Sequence, residues 1–409
     1  ATVEASYISD QDFLDEWYEA EYKESKDQET LFHLKKQWDR QAFSILLKGR
    51  VNDFQTETEA FPRIDYLLLG QPLLDDRLTY HSTNVYEYAQ FSPGDRRWRM
   101  VNLANPDWAD LESLQPRSPW THVVDSRHEL SMPTQWGPVN LVPFAEGRLG
   151  YFGHRTRDRG GRGRAYGALG TRANMYLTRV YDGVESRLFD VHRLRHVNVL
   201  EAEAMTAGST LASRDLYAFD EPGSAEPKVV RGIDDTGVYR LGWRQRWQTK
   251  RGPEQRTVDW ITFDMLMTWF ADTEHPHVAP DDDRAQNNLQ VDYAWQMSDT
   301  TSLVGDVYYL PNDGQVAVAD VGLSVVRSPR LSYYIGNRYV RGAPSSVGTF
   351  GIDYVINRKW KLHAFEQFDF NRGNENSGTR VDLVRRMANW LMTLSVELDP
   401  GEDEQIFLV

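Results

Sequence analysis

Apolar and polar residues alternate one for one over long stretches of this chain. Between positions 289 and 298, large apolar residues fill every second position, and polar or small residues fill the others; the apolar set is Leu289, Val291, Tyr293, Trp295 and Met297. Successive side chains of a β-strand point to opposite faces, whereas a helix repeats near 3.6 residues. The pattern therefore predicts a strand with one apolar and one polar side.

The same period returns in three other segments, each with a large and partly aromatic apolar set. These sets are Ile261, Phe263, Met265, Met267 and Trp269; Tyr239, Leu241, Trp243 and Trp247; and Trp390, Met392, Leu394, Val396 and Leu398. Strands of about 9 to 11 residues are long enough to cross a bilayer at a tilt. The sequence thus predicts an all-β fold, a large antiparallel up-and-down transmembrane β-barrel with a polar lumen. A soluble sandwich or propeller, with strands of about 5 to 6 residues, is the alternative.

The alternation assigns residues to the two faces of the predicted barrel. We expect lipid to contact Ile261, Phe263, Met265, Trp269, Tyr293, Trp295, Trp390, Met392 and Leu394. The candidates for a substrate path through the lumen are Arg240, Arg244, Arg246, Asp264, Asp292 and Asp306. The three arginines form a basic stripe on one strand that suits anionic sugars or phosphates. Two alternatives stay open: the arginines balance nearby acids, and the aspartates are ordinary carboxylates of a water-filled lumen.

Composition removes several classes of function. Lysine and arginine number 46 against 60 aspartates and glutamates, a formal charge of −14. This charge argues against nucleic acid as a partner, because a protein that binds the nucleic-acid backbone needs a basic surface to release its counterions. No apolar run approaches the roughly 18 residues that mark a spanning helix. Cysteine is absent, so disulfides, thiolate metal sites and a cysteine nucleophile are excluded.

Neither a metal site nor an enzyme is predicted. Glu274, His275 and His277 precede Asp281, Asp282 and Asp283, but their spacing matches no known zinc pattern, and an acidic solvated loop is the favoured interpretation. The chain has no Gly-x-Ser-x-Gly elbow, phosphate loop or dinucleotide fingerprint. Three histidines beside arginines are expected to mark strand ends rather than a proton relay: His128, His192 and His196.

The chain is predicted to form a single barrel domain over residues 1–409. The alternation fades around 92–136, where prolines accumulate, and a long loop or insertion is expected there. Five arginines and several glycines crowd positions 153–170. A flexible hairpin tip is the favoured interpretation of that segment, and a site for anionic head groups is the alternative.

Several short segments resemble one family of outer-membrane proteins. Tyr7-Ile8-Ser9-Asp10, followed by Phe13 and Leu14, resembles the Ser-Asp-x-x-Phe/Tyr-Leu signature of the lipopolysaccharide-assembly outer-membrane protein family, LptD, also called organic solvent tolerance protein. Further similar segments follow in the family's order at 61–66, 193–196, 241–252 and 383–390. The resemblance extends over nearly the whole chain.

The resemblance implies the C-terminal barrel of a translocon in the outer membrane of a diderm bacterium. Such a barrel inserts lipopolysaccharide into the outer leaflet through a lateral seam between its first and last strands, without a cofactor or bond-making chemistry. The implied partners are lipopolysaccharide, a plug lipoprotein and a periplasmic bridge. We expect the seam at 381–398 and 405–409. The family's periplasmic N-terminal domain and its cysteines are absent from this sequence, so an incomplete barrel is one expectation.

Two other functions remain open at this point. A passive diffusion porin would share the alternation but would have a fully paired seam and a constriction loop. A soluble carbohydrate-binding or structural β protein would cover its aromatic faces with a second layer.

Overall fold

The computed structural model describes residues 1–9, 28–55, 57–92, 119–153, 161–211, 236–271, 287–341, 345–372, 375–387, 390–399 and 404–408, with the single residues 13, 17 and 18. Most of these residues lie in β-strands. Within the described ranges, no helix has both the length and the apolar content that crossing a membrane would require.

The described residues form 21 strands. In chain order they are β1 (Thr2–Glu4), β2 (Leu31–Trp38), β3 (Gln41–Lys48), β4 (Glu57–Leu73), β5 (Leu78–Ser92), β6 (Thr121–Ser131), β7 (Thr134–Trp136), β8 (Val139–Phe152), β9 (Arg162–Ser186), β10 (Val191–Ser209), β11 (Gly237–Arg251), β12 (Arg256–Phe270), β13 (Asn288–Ser298), β14 (Thr301–Leu310), β15 (Gln315–Ser328), β16 (Leu331–Val340), β17 (Ser345–Val355), β18 (Trp360–Asp369), β19 (Glu375–Arg386), β20 (Leu391–Asp399) and β21 (Glu404–Leu408).

The strands follow one another as a single antiparallel meander. Each strand pairs with its chain neighbours, and the one departure is β7, a short flap on β8, because β6 itself pairs with β8. The predicted all-β, antiparallel up-and-down architecture of the transmembrane barrels is confirmed. The strand predicted at 289–298 is β13, almost residue for residue.

Register gives the sheet two chemically different faces. Residues directly opposite each other in a ladder share a face, so Trp243, Met265 and Val291 lie together on one side of β11, β12 and β13. Arg244 and Asp264 lie together on the other side. We call the first the apolar face and the second the polar face, and the pairings extend both faces from β2 to β20.

A second protein layer does not cover the apolar face in the described part of the chain. The buried apolar cluster there consists only of Val123 and Phe152 with Leu211 packed against them. Apolar side chains of this face such as Leu169, Leu241 and Val321 are more than half exposed. The sheet therefore exposes both sides, which argues against a soluble sandwich.

The two ends of the meander differ. At one end, which we call the short-turn end, hairpins close over a few residues, as at 252–255, 299–300 and 329–330. At the opposite, long-loop end the connections include 93–120, 210–236 and 271–287. Outer-membrane barrels have the same asymmetry, with short turns on the periplasmic side and longer loops outside.

A fully buried arginine ties three hairpins together at the short-turn end. Arg251, which ends β11 and has no exposed side-chain surface, donates hydrogen bonds to the carbonyls of Phe189 (3.1 Å) and Asp190 (3.0 Å) in the β9–β10 turn. It also donates to the carbonyls of Gln296 (2.8 Å) and Met297 (3.2 Å) at the end of β13. These contacts link strands that are not ladder neighbours.

The predicted loop at 92–136 is too long. Residues 121–131 form β6 and residues 134–136 form β7, because the prolines bracket β6 and leave its donors free to join the ladder. The predicted hairpin tip at 153–170 is also too long, since β9 begins at Arg162. The histidine and aspartate cluster predicted at 274–283 and residues 93–118 lie outside the described residues.

Candidate functional site

A ladder of alternating charges crosses the polar face from β6 to β11. It runs through Glu146, Arg127, Glu129, Arg172, Glu203 and Arg240. The Arg127–Glu146 and Arg172–Glu129 pairs are both 2.8 Å, while Glu203 joins Arg172 at 3.4 Å and Arg240 at 3.1 Å. Because each acid contacts an arginine on another strand, the ladder fixes the positions of its arginines.

The three arginines predicted on one strand share the polar face of β11, and each has an acidic partner. Arg244 contacts Glu201 at 2.9 Å, and Arg246 forms a two-pronged pair with Asp264 at 2.7 and 2.6 Å. Charge balance, the alternative interpretation of this stripe, thus accounts for part of its role. The side chains of Arg240 and Arg244 nevertheless stay 42% and 56% exposed, so their guanidinium groups are open to a ligand.

Arg240 and Arg244 line one cavity of about 340 Å³ on the polar face, and Arg246 lies outside its lining. Its polar lining consists of Arg172, Asn174, Glu201, Glu203, Arg240 and Arg244. Planar guanidinium groups bind phosphate and carboxylate oxygens through paired hydrogen bonds. The cavity can therefore hold an anionic group of a sugar or a lipid.

A row of carboxylates continues the polar face beyond the arginines. Asp264, Asp292, Asp306 and Asp320 lie directly opposite one another on β12 to β15, and Arg338 on β16 closes the row. The row borders a second cavity of about 560 Å³. In the described ranges Arg246 binds Asp264 and Arg338 lies 3.7 Å from Asp320. No cation partner for Asp292 or Asp306 occurs among those residues.

The carboxylate row does not form a metal centre. No group of three or more histidine, cysteine, aspartate or glutamate side chains in the described part of the chain has metal-binding geometry. Because each aspartate lies on a different strand of the ladder, the four carboxylates form a line across the sheet and do not converge on one position.

The apolar face collects the residues predicted to contact lipid. Ile261 and Met265 lie opposite apolar partners on both β11 and β13. Phe263 lies opposite Tyr293 on β13, and Trp269 lies opposite Tyr239 on β11. Met392 and Leu394 lie on β20. Tyr293 and Trp295 occupy the same face of β13. Trp390 precedes β20, and its carbonyl accepts a hydrogen bond from Met387 in the turn.

Aromatic residues of the apolar face gather near the two strand ends. Trp38, Trp247, Trp295 and Trp360 lie towards the short-turn end, and Tyr239, Trp269, Tyr309 and Tyr339 lie towards the long-loop end. Tyr239 and Trp247 are eight positions apart on β11, about 26 Å along the strand. Aromatic girdles flank an apolar band of about 25 Å in outer-membrane barrels.

Several residues of the polar face were not predicted from the sequence. They are Glu129, Arg172, Glu201, Glu203, Asp320 and Arg338. Glu201 and Glu203 do alternate with alanines at 202 and 204, which was a usable signal for a strand with one small and one charged face. Their pairing with arginines depends on the register of β9, β10 and β11.

The chain is similar to solved structures, but it matches no known family or curated protein by sequence. No family model matches the chain, and no curated protein matches it. The FrpB iron transporter from Neisseria meningitidis (F3-3 variant) is 11% identical, with 90% of this chain and 67% of that chain covered and a TM-score of 0.32. The ferric citrate transporter FecA in its unliganded form is 12% identical, with 92% and 64% covered and a TM-score of 0.30.

A third solved structure is similar at a lower level. The ferric yersiniabactin uptake receptor FyuA from Yersinia pestis is 9% identical, with 89% of this chain and 66% of that chain covered and a TM-score of 0.19. The chain therefore spans about two thirds of the length of these structures. The fold of the chain is defined by its own strand order and register.

Proposed function

We propose that this chain is an outer-membrane barrel that moves lipopolysaccharide into the outer leaflet. The observation that carries the proposal is the arginine-lined cavity on the polar face, where Arg172, Arg240 and Arg244 stay accessible although each is held by an acid. A phosphorylated polysaccharide is bound by positively charged side chains held in place on a hydrated surface, and the charge ladder supplies such side chains.

The apolar face supports a position in the bilayer. Its exposed side chains include Leu149 and Leu169, at 64% and 63% exposure. Large contiguous apolar surfaces are rare on monomeric soluble proteins. Aromatic belts at both ends and the asymmetry of turns and loops agree with an outer-membrane orientation. In that orientation the short-turn end faces the periplasm.

The lateral seam is proposed between β21, the last strand of the meander, and β1, its first strand. The two terminal strands are short, since β1 has 3 residues and β21 has 5, whereas β9 has 25. A short ladder contains few hydrogen bonds, and every backbone group exposed to hydrocarbon costs several kcal/mol. Opening is therefore least costly where the fewest pairs must separate.

Photocrosslinking tests the proposed path. A benzophenone amino acid in place of Asn174 lies in the arginine-lined cavity, and the same group in place of the neighbouring Met175 lies on the apolar face. Purified protein in detergent is illuminated with phosphorylated lipopolysaccharide. We expect crosslinking at 174 to exceed that at 175, and to fall in the Arg240→Ala, Arg244→Ala double variant.

The alternative function gives the opposite result. A diffusion porin would show equal weak crosslinking at both positions and would admit small sugars in a liposome-swelling assay, with no dependence on the arginines. That outcome would rule out the export proposal. Dephosphorylated lipopolysaccharide serves as the ligand control, because it lacks the anions that guanidinium groups bind.

A further inference from the structure

A polar cluster interrupts the apolar face between β5 and β6. Ser126 and His128 lie two residues apart on β6, and Tyr80 and Asn84 lie next to them on β5. All four share the face that exposes Leu130. Polar side chains on a surface that contacts hydrocarbon are costly unless they satisfy one another or serve a function.

The four side chains form a connected hydrogen-bond chain. Ser126 Oγ lies 2.8 Å from His128 Nε2, and His128 Nδ1 lies 2.6 Å from the phenol oxygen of Tyr80. On the other side, Ser126 Oγ lies 2.5 Å from the amide of Asn84, whose far end lies 2.6 Å from Ser82 Oγ. A hydroxyl, an imidazole and a third group that orients the imidazole are the elements of a nucleophilic site.

We propose that Ser126, His128 and Tyr80 form an ester-hydrolysing site for glycerophospholipids. Ser126 is the nucleophile and His128 is the general base through Nε2. Tyr80 is a positioning residue, because its phenol oxygen accepts the Nδ1–H and so presents Nε2 to the serine. Asn84 is a second positioning residue, because its Oδ1 accepts a hydrogen bond from Ser126 Oγ while its Nδ2 donates to Ser82 Oγ.

The chemistry requires only water as a co-reactant. Ser126 Oγ bonds to the ester carbonyl carbon while its proton passes to His128 Nε2. The carbon–oxygen bond to the glycerol then breaks, and the leaving alkoxide takes that proton, which leaves an acyl-serine. A water molecule gives a proton to His128 and attacks the acyl carbon, and His128 returns the proton to Ser126 as the fatty acid leaves.

The position of the cluster indicates the substrate. His128 is three residues from the end of β6 at the short-turn end, about 10 Å along the strand, where the ester groups of a lipid lie between head group and acyl chain. Beside it, Gly147, Gly167 and Gly208 lie opposite one another in one row across β8, β9 and β10. A Cβ added at Gly147 meets nothing within 4 Å, so the row forms an open trough.

The trough gives an acyl chain a place beside the nucleophile. Leu149 and Leu169, on the rows that flank the glycines, are mostly exposed and provide apolar walls. A straight acyl chain that lies on the glycine row would bring its ester next to His128. The inference rests on the membrane position in the proposed function but not on glycolipid export.

The test uses the purified full chain in mixed micelles of detergent and phosphatidylcholine. We expect release of fatty acid and lysophospholipid, and labelling by a fluorophosphonate probe that mass spectrometry maps to Ser126. Ser126→Ala should abolish both. His128→Gln should lower the hydrolysis rate by about 100- to 10,000-fold. Tyr80→Phe should lower kcat while KM is unchanged, as expected for a residue that acts through His128.

Controls separate catalysis from folding and from export. Ser302→Ala, on the polar face opposite Gln296 and Ser324, should leave hydrolysis unchanged, and heat-modifiable gel migration reports folding for every variant. Gly147→Leu fills the trough, so KM for the phospholipid should rise while probe labelling of Ser126 continues. Wild-type hydrolysis in Ser126→Ala, or a wild-type protein that neither hydrolyses lipid nor takes the probe, would overturn the proposal. Crosslinking at position 174 is independent of either result.

Discussion

Arg251 offers the sharpest test of what holds the strand meander together. The variant Arg251→Met keeps an apolar stem of similar length but removes the guanidinium group. Four backbone carbonyls, two in the β9–β10 turn and two at the end of β13, then lose their donor, at distances of 2.8 to 3.2 Å in the native chain. Two aspartates near it, Asp190 and Asp299, are 45% and 53% exposed, so water still solvates them after the change.

The expected loss of stability follows from those contacts. A hydrogen bond to a charged group contributes about 1.5 to 3 kcal/mol, which puts the upper limit for four bonds near 6 to 12 kcal/mol. Some of the freed carbonyls regain water once the turns relax, and removal of one partner from a buried charged network typically costs about 3 to 5 kcal/mol. We therefore expect Arg251→Met to lower the free energy of unfolding by about 4 kcal/mol.

Urea unfolding in lipid vesicles, followed by heat-modifiable gel migration and tryptophan fluorescence, measures this loss. The matched control is Arg338→Met, because Arg338 is 65% exposed and lies 3.7 Å from Asp320. This substitution should lower the free energy of unfolding by less than about 1 kcal/mol. A change of less than about 1 kcal/mol for Arg251→Met would refute the view that this residue ties the hairpins together.

Three further predictions address the two faces of the sheet. Met265→Arg on the apolar face should destabilise the protein in vesicles by about 2 to 4 kcal/mol, while Leu266→Arg on the polar face should cost less than about 1 kcal/mol; equal costs would contradict the assignment of faces. Asp292→Asn removes a charge whose two cross-strand neighbours are also carboxylates, so its urea midpoint should rise at low salt and match wild type at 1 M salt. Gly322→Leu should cost about 1 to 3 kcal/mol in the same assay, because a Cβ at 322 would lie 2.5 Å from the phenol oxygen of Tyr334, and an unchanged midpoint would show that the ring moves freely.

The faces of individual strands could be predicted because alternation is a local property. The apolar sets of β11, β12 and β13 were correct in face and nearly correct in extent. Loop boundaries were less accurate: β6 was hidden by flanking prolines and by a charged face. In that strand the polar residues outnumber the apolar ones, so the period was present but weak.

Partners across the ladders could not be predicted in the same way. Arg240, Arg244 and Arg246 formed a visible stripe, but Glu203, Glu201 and Asp264 come to them from two other strands. The sequence predicted His128 as a strand-end residue and no enzyme. Its contacts with Tyr80 and Ser126 exist because β5 and β6 pair in one register, and a shift of one residue would send these side chains to opposite faces.

The sequence alone determined that this chain forms strands with one polar and one apolar face, because an apolar period of two residues does not place the apolar side chains on one face of a helix. It also decided the absence of thiol chemistry. Only the tertiary structure decided which charges meet, where the cavities lie, and that Arg251 joins turns distant in the chain. The reason is that ladder register is a long-range choice: it depends on the summed pairing of many residues, whereas the period of one strand depends on its own side chains.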